Sequence, residues 1–467
     1  MKFGRTLVLL GVFLVLLAAV LFFDAHGRKR AAGKEKEGKL VDLASSDLLK
    51  MTLKSGDAVL AFERDDKGEW KITEPLLTGA DAAEVGGLAD GFSGLRIERV
   101  VGTAQADLSA YGIPDKELLL WVKGNDKPVR ILVGMENPLD KTLFAKRDDD
   151  PRVVLIASHL KATLDKKFFD FRRKDVFAFE KAGVSAVKVR TGSASWEASK
   201  KDGDWFLTSP VTALAERSRV ETLLDSLAGL RAKEFLSERR ADEDVRKSGL
   251  DKPEYEVVLS VPTATTDKEA TIALHKDGDT ISAMSSLSDK VVLVESAILG
   301  ELDKKPEEYR EKKVAVFDSW EADRVAVTAG GLSLAAVKEK AGDADQWVLE
   351  SEGKAEADGS KVEMLIRKIE GLEAAEFIDT PKSLEEYGLD KPRAEVKVRT
   401  KDDEGKVRES IVLVGIEDED KKQVVVKNAA LPYLFRVDAS FLQDLPKDVK
   451  DWIAAPETKP GEAKKAP

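Results

Sequence analysis

A short phrase recurs three times at nearly constant spacing, which restricts the chain to tandem copies of one domain. It reads Tyr111-Gly112-Ile113-Pro114, then Ser248-Gly249-Leu250-Asp251-Lys252-Pro253, then Tyr387-Gly388-Leu389-Asp390-Lys391-Pro392; the glycines are 137 and 139 residues apart. Gly94-Leu95, Gly229-Leu230 and Gly371-Leu372 each close an apolar helical run at steps of 135 and 142. Trp70, Trp205 and Trp347 open the preceding segments at the same two steps. Solenoid repeats are usually ~20–50 residues long, so this period means tandem globular domains. Triplication points to a built surface more than to a single catalytic pocket.

The 467 residues agree with about three domains at ~100–200 residues each. Charged residues make up 34% and aromatics 6%, so surfaces are well solvated and each core is modest. A net charge of −11 argues against nonspecific nucleic-acid binding, which needs a basic footprint. Cysteine is absent, which excludes disulfides, thiolate nucleophiles, zinc–cysteine sites and a lipidated cysteine. The three histidines, His26, His159 and His275, are far apart in sequence, an unfavourable pattern for a histidine-rich metal site.

Leu7 to Phe23 is an unbroken apolar run preceded by Lys2 and Arg5. As a helix its 17 residues span ~25 Å, at the short end for a bilayer core. The run is longer than the usual core of a secretory signal, and Phe22-Phe23-Asp24 occupies the place where small residues would favour cleavage. An uncleaved anchor is therefore expected rather than a cleaved signal. Arg28, Lys29, Arg30, Lys34, Lys36 and Lys39 follow the helix, and the positive-inside bias taken alone would keep the bulk of the chain cytoplasmic. The short charged start resembles an export signal, and long domains translocate largely regardless of charge, so export is the expectation.

The predicted layout is a cytoplasmic tail and transmembrane anchor at 1–23, a charged tether at 24–38, repeats at 39–180, 181–321 and 322–455, and a disordered Pro/Lys/Glu/Ala tail at 456–467. In the second repeat, Val184–Val189, Ser195–Ala198 and Trp205–Leu207 read as strands, and Pro210 ends the last. Val220, Leu223, Leu224, Leu227 and Leu230 recur at helical spacing. Ala232–Leu236 is extended again, and alternating strands follow at Tyr255–Val261, Ala270–Leu274, Thr280–Met284 and Lys290–Val294. A helix is predicted at Ala297–Lys304. The glycine of the repeated phrase suits a left-handed helix-ending position, with the next leucine packing back and the proline blocking continuation. Short loops between alternating strands predict an α+β unit: mainly antiparallel sheet with one or two packed helices. The third repeat departs near its end, where Leu445-Pro446-Lys447-Asp448 and Trp452 replace the Phe171-Arg172 and Tyr309-Arg310 endings.

The anchor, the Tyr-Gly-Leu-x-x-Pro phrase, the Trp-x-x-x-x-Pro segments (Trp70 to Pro75, Trp205 to Pro210) and the following Leu-rich helix together resemble the DUF4340 family over residues 40–453. That resemblance implies a bacterial membrane-anchored protein and an accessory role beside ABC transporters of the gliding-motility type. It supplies no catalytic residues. The third repeat lacks the proline after Trp347, and the second has Ser248 for tyrosine, which reads as tolerated variation in packing.

A complete phosphate loop, Gly-x-x-x-x-Gly-Lys followed by Ser or Thr, and a His-Glu-x-x-His zinc motif are both absent. Gly91-Phe92-Ser93-Gly94 has the wrong spacing for a nucleophile elbow and falls inside a predicted helix. Asp148-Asp149-Asp150 and Glu417-Asp418-Glu419-Asp420 lack the spacing of a calcium loop and read as exposed acidic turns. Trp70, Trp205 and Trp347 read as core anchors, while Trp121, Trp196, Trp320 and Trp452 form no ladder. No catalytic, cofactor-binding or metal-ligating residue is nominated. The leading expectation is a non-catalytic periplasmic scaffold in the inner membrane, partnered with ABC-transporter membrane subunits or another envelope protein. A cell-envelope glycan binder is the alternative, and a hydrolase with an unrecognised site is the third. No nucleic acid or cofactor is expected; the sequence leaves a small-molecule ligand open.

Overall fold

The structure is a computed structural model that describes residues 38–103, 107–192, 194–262, 267–341, 344–350 and 353–454. The expected anchor, the tether up to residue 37 and the tail from 456 lie outside the described residues. No helix among the described residues is long and apolar enough to cross a membrane. The chain divides into two compact units, one ending at Lys174 and the other starting at Asp175.

The first unit is one antiparallel sheet of nine strands: β1 (Leu48–Ser55), β2 (Ala58–Arg64), β3 (Trp70–Glu74), β4 (Thr78–Gly79), β5 (Arg99–Thr103), β6 (Lys116–Val122), β7 (Val129–Glu136), β8 (Leu143–Arg147) and β9 (Arg152–Ile156). Their order is β4-β3-β2-β1-β6-β7-β8-β9-β5. Tight turns explain most neighbours, because Gly56 and Gly68 supply positive φ between consecutive strands. The exceptions are β1 with β6, and β5, which pairs with β9 at the far edge. Between β4 and β5 runs helix α1 (Ala82–Ser93), so the chain crosses from one sheet edge to the other through that helix. Its Asp81 carboxylate caps the Ala83 and Glu84 amides. Val85, Leu88, Ala89 and Phe92 point into the core against Met51, Phe62, Trp70, Leu118 and Ile131.

The second unit holds two more such sheets. Strands over Ala186–Val294 keep the nine-strand order, and those over Ala322–Asp438 form an eight-stranded version among the described residues. Their helices are α2 (Arg217–Ala228) and α3 (Gly359–Glu370). Val220, Leu223, Leu224 and Leu227 bury one face of α2, and Val362, Leu365, Ile366 and Ile369 that of α3. The predicted architecture of mainly antiparallel sheets with few packed helices is therefore correct.

The end of each repeat returns to the start of its own helix. The Asp81 amide donates to the Phe171 carbonyl, Glu216 to Tyr309 and Asp358 to Trp452, each at 2.8 Å. Isolated bridges join the neighbouring residues Ala80 with Arg172, Ala215 with Arg310 and Ala357 with Ile453. The third repeat is thus not divergent in architecture: Trp452, fully buried, takes the place of Phe171 and Tyr309. Sequence comparison misses this because a different aromatic stands there at a shifted step.

Within the second unit, Arg310 joins the second and third sheets. Only 4% exposed, its guanidinium lies 3.6 Å from the Phe377 ring centre and 4.5 Å from that of Tyr433. One nitrogen reaches the Asp379 carboxylate at 2.5 Å. The Leu214 amide of the second repeat donates to the Tyr433 hydroxyl at 3.1 Å. A planar cation suits this slot because it stacks on two rings while its edge still bonds a carboxylate. Arg310→Ala should destabilise this unit by about 2–4 kcal/mol, since Asp379 loses its partner and both rings lose their filling. Calorimetric unfolding of the full chain would show a downward shift of the transition that belongs to the second unit.

Candidate functional site

The recurring tryptophans are in the core. Trp70, Trp205 and Trp347 are buried, and each is roofed by the cation opposite it on the next strand: Arg64 at 4.6 Å, Lys200 at 5.9 Å and Lys338 at 5.1 Å from the ring centre. Trp196 is also buried, stacked 4.3 Å from Tyr309. Trp320 differs: it is 66% exposed, on the short helical turn that opens the third sheet, and Val316 is exposed just before it. Phe92 and Ser93 are buried in α1, so the Gly91–Gly94 segment packs rather than reacts. The Asp148–Asp150 turn holds a surprise: Asp150 is buried, not exposed. Its carboxylate is gripped by the Arg152 side chain at 2.7–3.2 Å, which holds it below the usual carboxylate range. Asp418 of the other acidic segment accepts the Lys421 amide, an ordinary turn contact. His159 is exposed, His26 lies outside the described residues, and no group of three metal-ligating side chains converges among the described ones.

The repeated Gly-Leu phrase does more than end a helix. Gly112, Gly249 and Gly388 have φ of 63°, 72° and 65°, as expected for this position. The following Ile113, Leu250 and Leu389 are buried on the sheet face opposite the helix. Each seeds a small second cluster, with Leu132 and Val153, with Ala273 and Val291, or with Val425 and Leu434. The phrase is therefore a plug on the back of each sheet.

Around that plug the second repeat differs from the other two. In the first, the pairing of β7 with β8 slips between Val133 and Glu136, and in the third the same slip falls between Val414 and Glu417. There Gly134 and Met135 face the single Phe144, and Gly415 and Ile416 the single Val425. An added Cβ at Gly134 would stand 2.3 Å from the Tyr111 carbonyl oxygen, and at Gly415 2.1 Å from that of Tyr387. Glycine there lets the tyrosine turn lie directly on the strand. Tyr111 then packs on Phe144, ring centres 5.0 Å apart. In the second repeat the pairing runs without a slip, and His275 stands in place of the glycine bulge, directly opposite Ser282. By the same register Ser282 replaces Phe144, and Ser248 replaces Tyr111.

Those exchanges leave a cleft of about 510 Å³ bordered by Leu236 and Leu293 and by Ser248, Gly249, His275 and Ser282. The imidazole lies flush on Gly249, where a Cβ would meet it at 2.2 Å. His275 Nδ1 is buried without a hydrogen-bond partner. Ser282 is 7% exposed, and its hydroxyl has no hydrogen-bond partner among the described residues. The Ser248 hydroxyl donates to the Asp244 carbonyl at 2.7 Å, and Ser237 donates to the Asp244 carboxylate at 2.6 Å. Sequence reasoning passed over this region because it treated Ser248 as tolerated variation; the linked change from Val-Gly-Met-Glu and Val-Gly-Ile-Glu to Leu-His-Lys was the available signal.

The DUF4340 family, described as "Domain of unknown function (DUF4340)", matches residues 70–253, 205–346 and 347–457. The chain belongs to the DUF4340 family. None of the curated proteins compared with it matches.

Polar pairs beside the plug also vary in a regular way. Lys116 bonds Asp165 at 2.8 Å in the first repeat, and at the matching places of the second the Tyr255 hydroxyl donates to Asp303 at 2.9 Å. Burial first, and then the neighbouring carboxylate, push the Tyr255 phenol up to about 12. The neutral phenol is the favoured folded form, so its contribution is complete below the ordinary tyrosine value near 10 and is lost as pH rises towards 12. Ultraviolet titration should show Tyr255→Phe removing one late-ionising phenol, with stability falling less steeply above pH ~10 than in the parent.

Proposed function

We propose that this chain is a non-catalytic accessory protein, anchored in the inner membrane by Leu7–Phe23, with its repeats presented in the periplasm to the membrane subunits of an ABC-type transport complex. One observation carries the choice of a protein partner over chemistry. The features that recur three times serve the cores, while large apolar side chains remain on the surface, with Trp320, Val316 and Val407 at the entrance of the third sheet and Leu139 on the β7–β8 turn of the first. Ala322 pairs with Thr400 and Lys401 with Val407, so Trp320 and Val407 lie towards the same end of their sheet. Exposed aromatic and aliphatic groups of this kind are typical anchors of protein interfaces. Burial raises the tyrosines Tyr309 and Tyr433, and the ion pair between Glu117 and Arg130 lowers the one and raises the other, a pattern of packing.

Glycan binding is the second reading. Buried tryptophans offer it no stacking row, and its support is the polar cleft of the second repeat. In-cell crosslinking of the full chain, followed by purification in mild detergent and mass spectrometry, tests the first reading. Reproducible recovery of ABC-transporter subunits, reduced several-fold in Trp320→Asp, is the expected outcome. Recovery of the chain alone would sink it.

A further inference from the structure

We propose that the cleft of the second repeat is a binding site for a neutral saccharide unit. The argument rests on a comparison internal to the chain. Where the first repeat closes the back of its sheet with Tyr111 on Phe144 and a glycine bulge, the second has Ser248, Ser282 and His275. Two of these exchanges, Ser282 for Phe144 and His275 for the glycine bulge, put a hydrogen-bonding side chain where none stood. Loss of packing alone would leave an apolar hollow; here the hollow is lined with donors and acceptors. Ser282 is more than nine-tenths buried, borders the cleft and has no hydrogen-bond partner among the described residues. A ligand hydroxyl that reaches Ser282 would supply the partner that the fold does not, and His275 Nδ1 beside it is likewise buried without one.

Charge selects the ligand class. The rim carries two cations, Arg246 and Lys247, and two carboxylates, Asp244 and Asp277. Lys247 also pairs with Glu243, and Asp244 accepts from Ser237. The four charged side chains that line the cleft sum to zero, and the site offers both donors and acceptors. A sugar hydroxyl donates to a carboxylate and accepts from a guanidinium at once, so a ring of hydroxyls suits a rim of balanced charge. Leu236, Leu293 and the Gly249 backbone supply apolar surface for the C–H faces of such a ring. A cleft of about 510 Å³ lies within the ~300–1,000 Å³ usual for small-molecule sites.

The test titrates the full chain, in detergent, by calorimetry with glucose, galactose, N-acetylglucosamine and their β-linked dimers, alongside glucuronic acid and glucosamine as charged controls. Saturable binding of at least one neutral sugar is expected, weakened tenfold or more in Ser248→Tyr/Ser282→Phe, which restores the filling of the first repeat. Ser282→Ala/Asp277→Asn, which adds no bulk, should weaken it likewise if the double replacement fails to fold. No saturable binding by any neutral sugar, undiminished binding in a folded variant, or preference for a charged control would overturn the proposal. Transporter recovery should be unchanged in these variants, so failure here and failure of the accessory reading are separable.

Discussion

Each repeat is closed by backbone hydrogen bonds at the start of its long helix, and the one they share in length runs from the residue at the helix cap to the carbonyl of an aromatic near the repeat's end. Asp81 to Phe171, Glu216 to Tyr309 and Asp358 to Trp452 all measure 2.8 Å. The bond has large consequences because the helix is what carries the chain from one sheet edge to the other. Fixing its first turn against the returning chain sets where the helix enters, and the buried aromatic beside the bond fills the core below it. A buried amide must find an acceptor, and here the acceptor comes from a residue 90, 93 or 94 positions later. Closure is thus non-local, and the helix alone, at 12 residues, would be marginal in water.

The second and third sheets share one compact unit, and the segment that closes the second repeat runs between them. The residue after the closing aromatic of the second repeat is Arg310, which bridges to Ala215 and stacks on Phe377 and Tyr433 of the third. A few residues on, the Val314 amide donates to the Leu372 carbonyl, and the Asn428 side chain donates to the Val314 carbonyl at 2.8 Å. The segment that finishes one sheet therefore starts the next with no linker between them. A buried guanidinium is a costly way to fill such a joint unless every face is used. Rings take two faces and Asp379 takes an edge, which leaves Nε as the one buried polar atom of this side chain without a partner.

The sheet architecture and the helices were legible because both rest on local periodicity. Val220, Leu223, Leu224 and Leu227 mark α2 by spacing alone, and Gly249 marks the end of the segment before it by its need for positive φ. The tryptophans were legible as core because one large aromatic at equivalent places in three copies has an obvious use. Other features were hidden by being relations rather than residues. That Trp452 stands for Tyr309 depends on a hydrogen bond between positions 94 apart in sequence, Asp358 and Trp452. That Asp150 is buried depends on the hairpin folding Arg152 back over it. The cleft depends on a change of register that no single position announces.

That register change is the clearest case of one choice forcing others. With a glycine bulge, the turn can lie on the strand with its carbonyl where a Cβ would otherwise be, and a tyrosine beside it has room to cover the sheet. Without the bulge the strand is regular, a side chain occupies the spot, and a tyrosine at 248 would meet the imidazole's surroundings instead of Phe144's counterpart. Lys146 and Lys427 obey the same division. Each ammonium caps carbonyls of the turn after its strand, Lys427 with its pKa lowered by burial, while the second repeat has Met284 at that place. The second repeat has therefore exchanged a linked set on one face of its sheet while keeping the helix-side core intact. The second repeat tolerates this because its helix-side core is complete without the back face, so departures confined to that face are where a binding role is first to be sought.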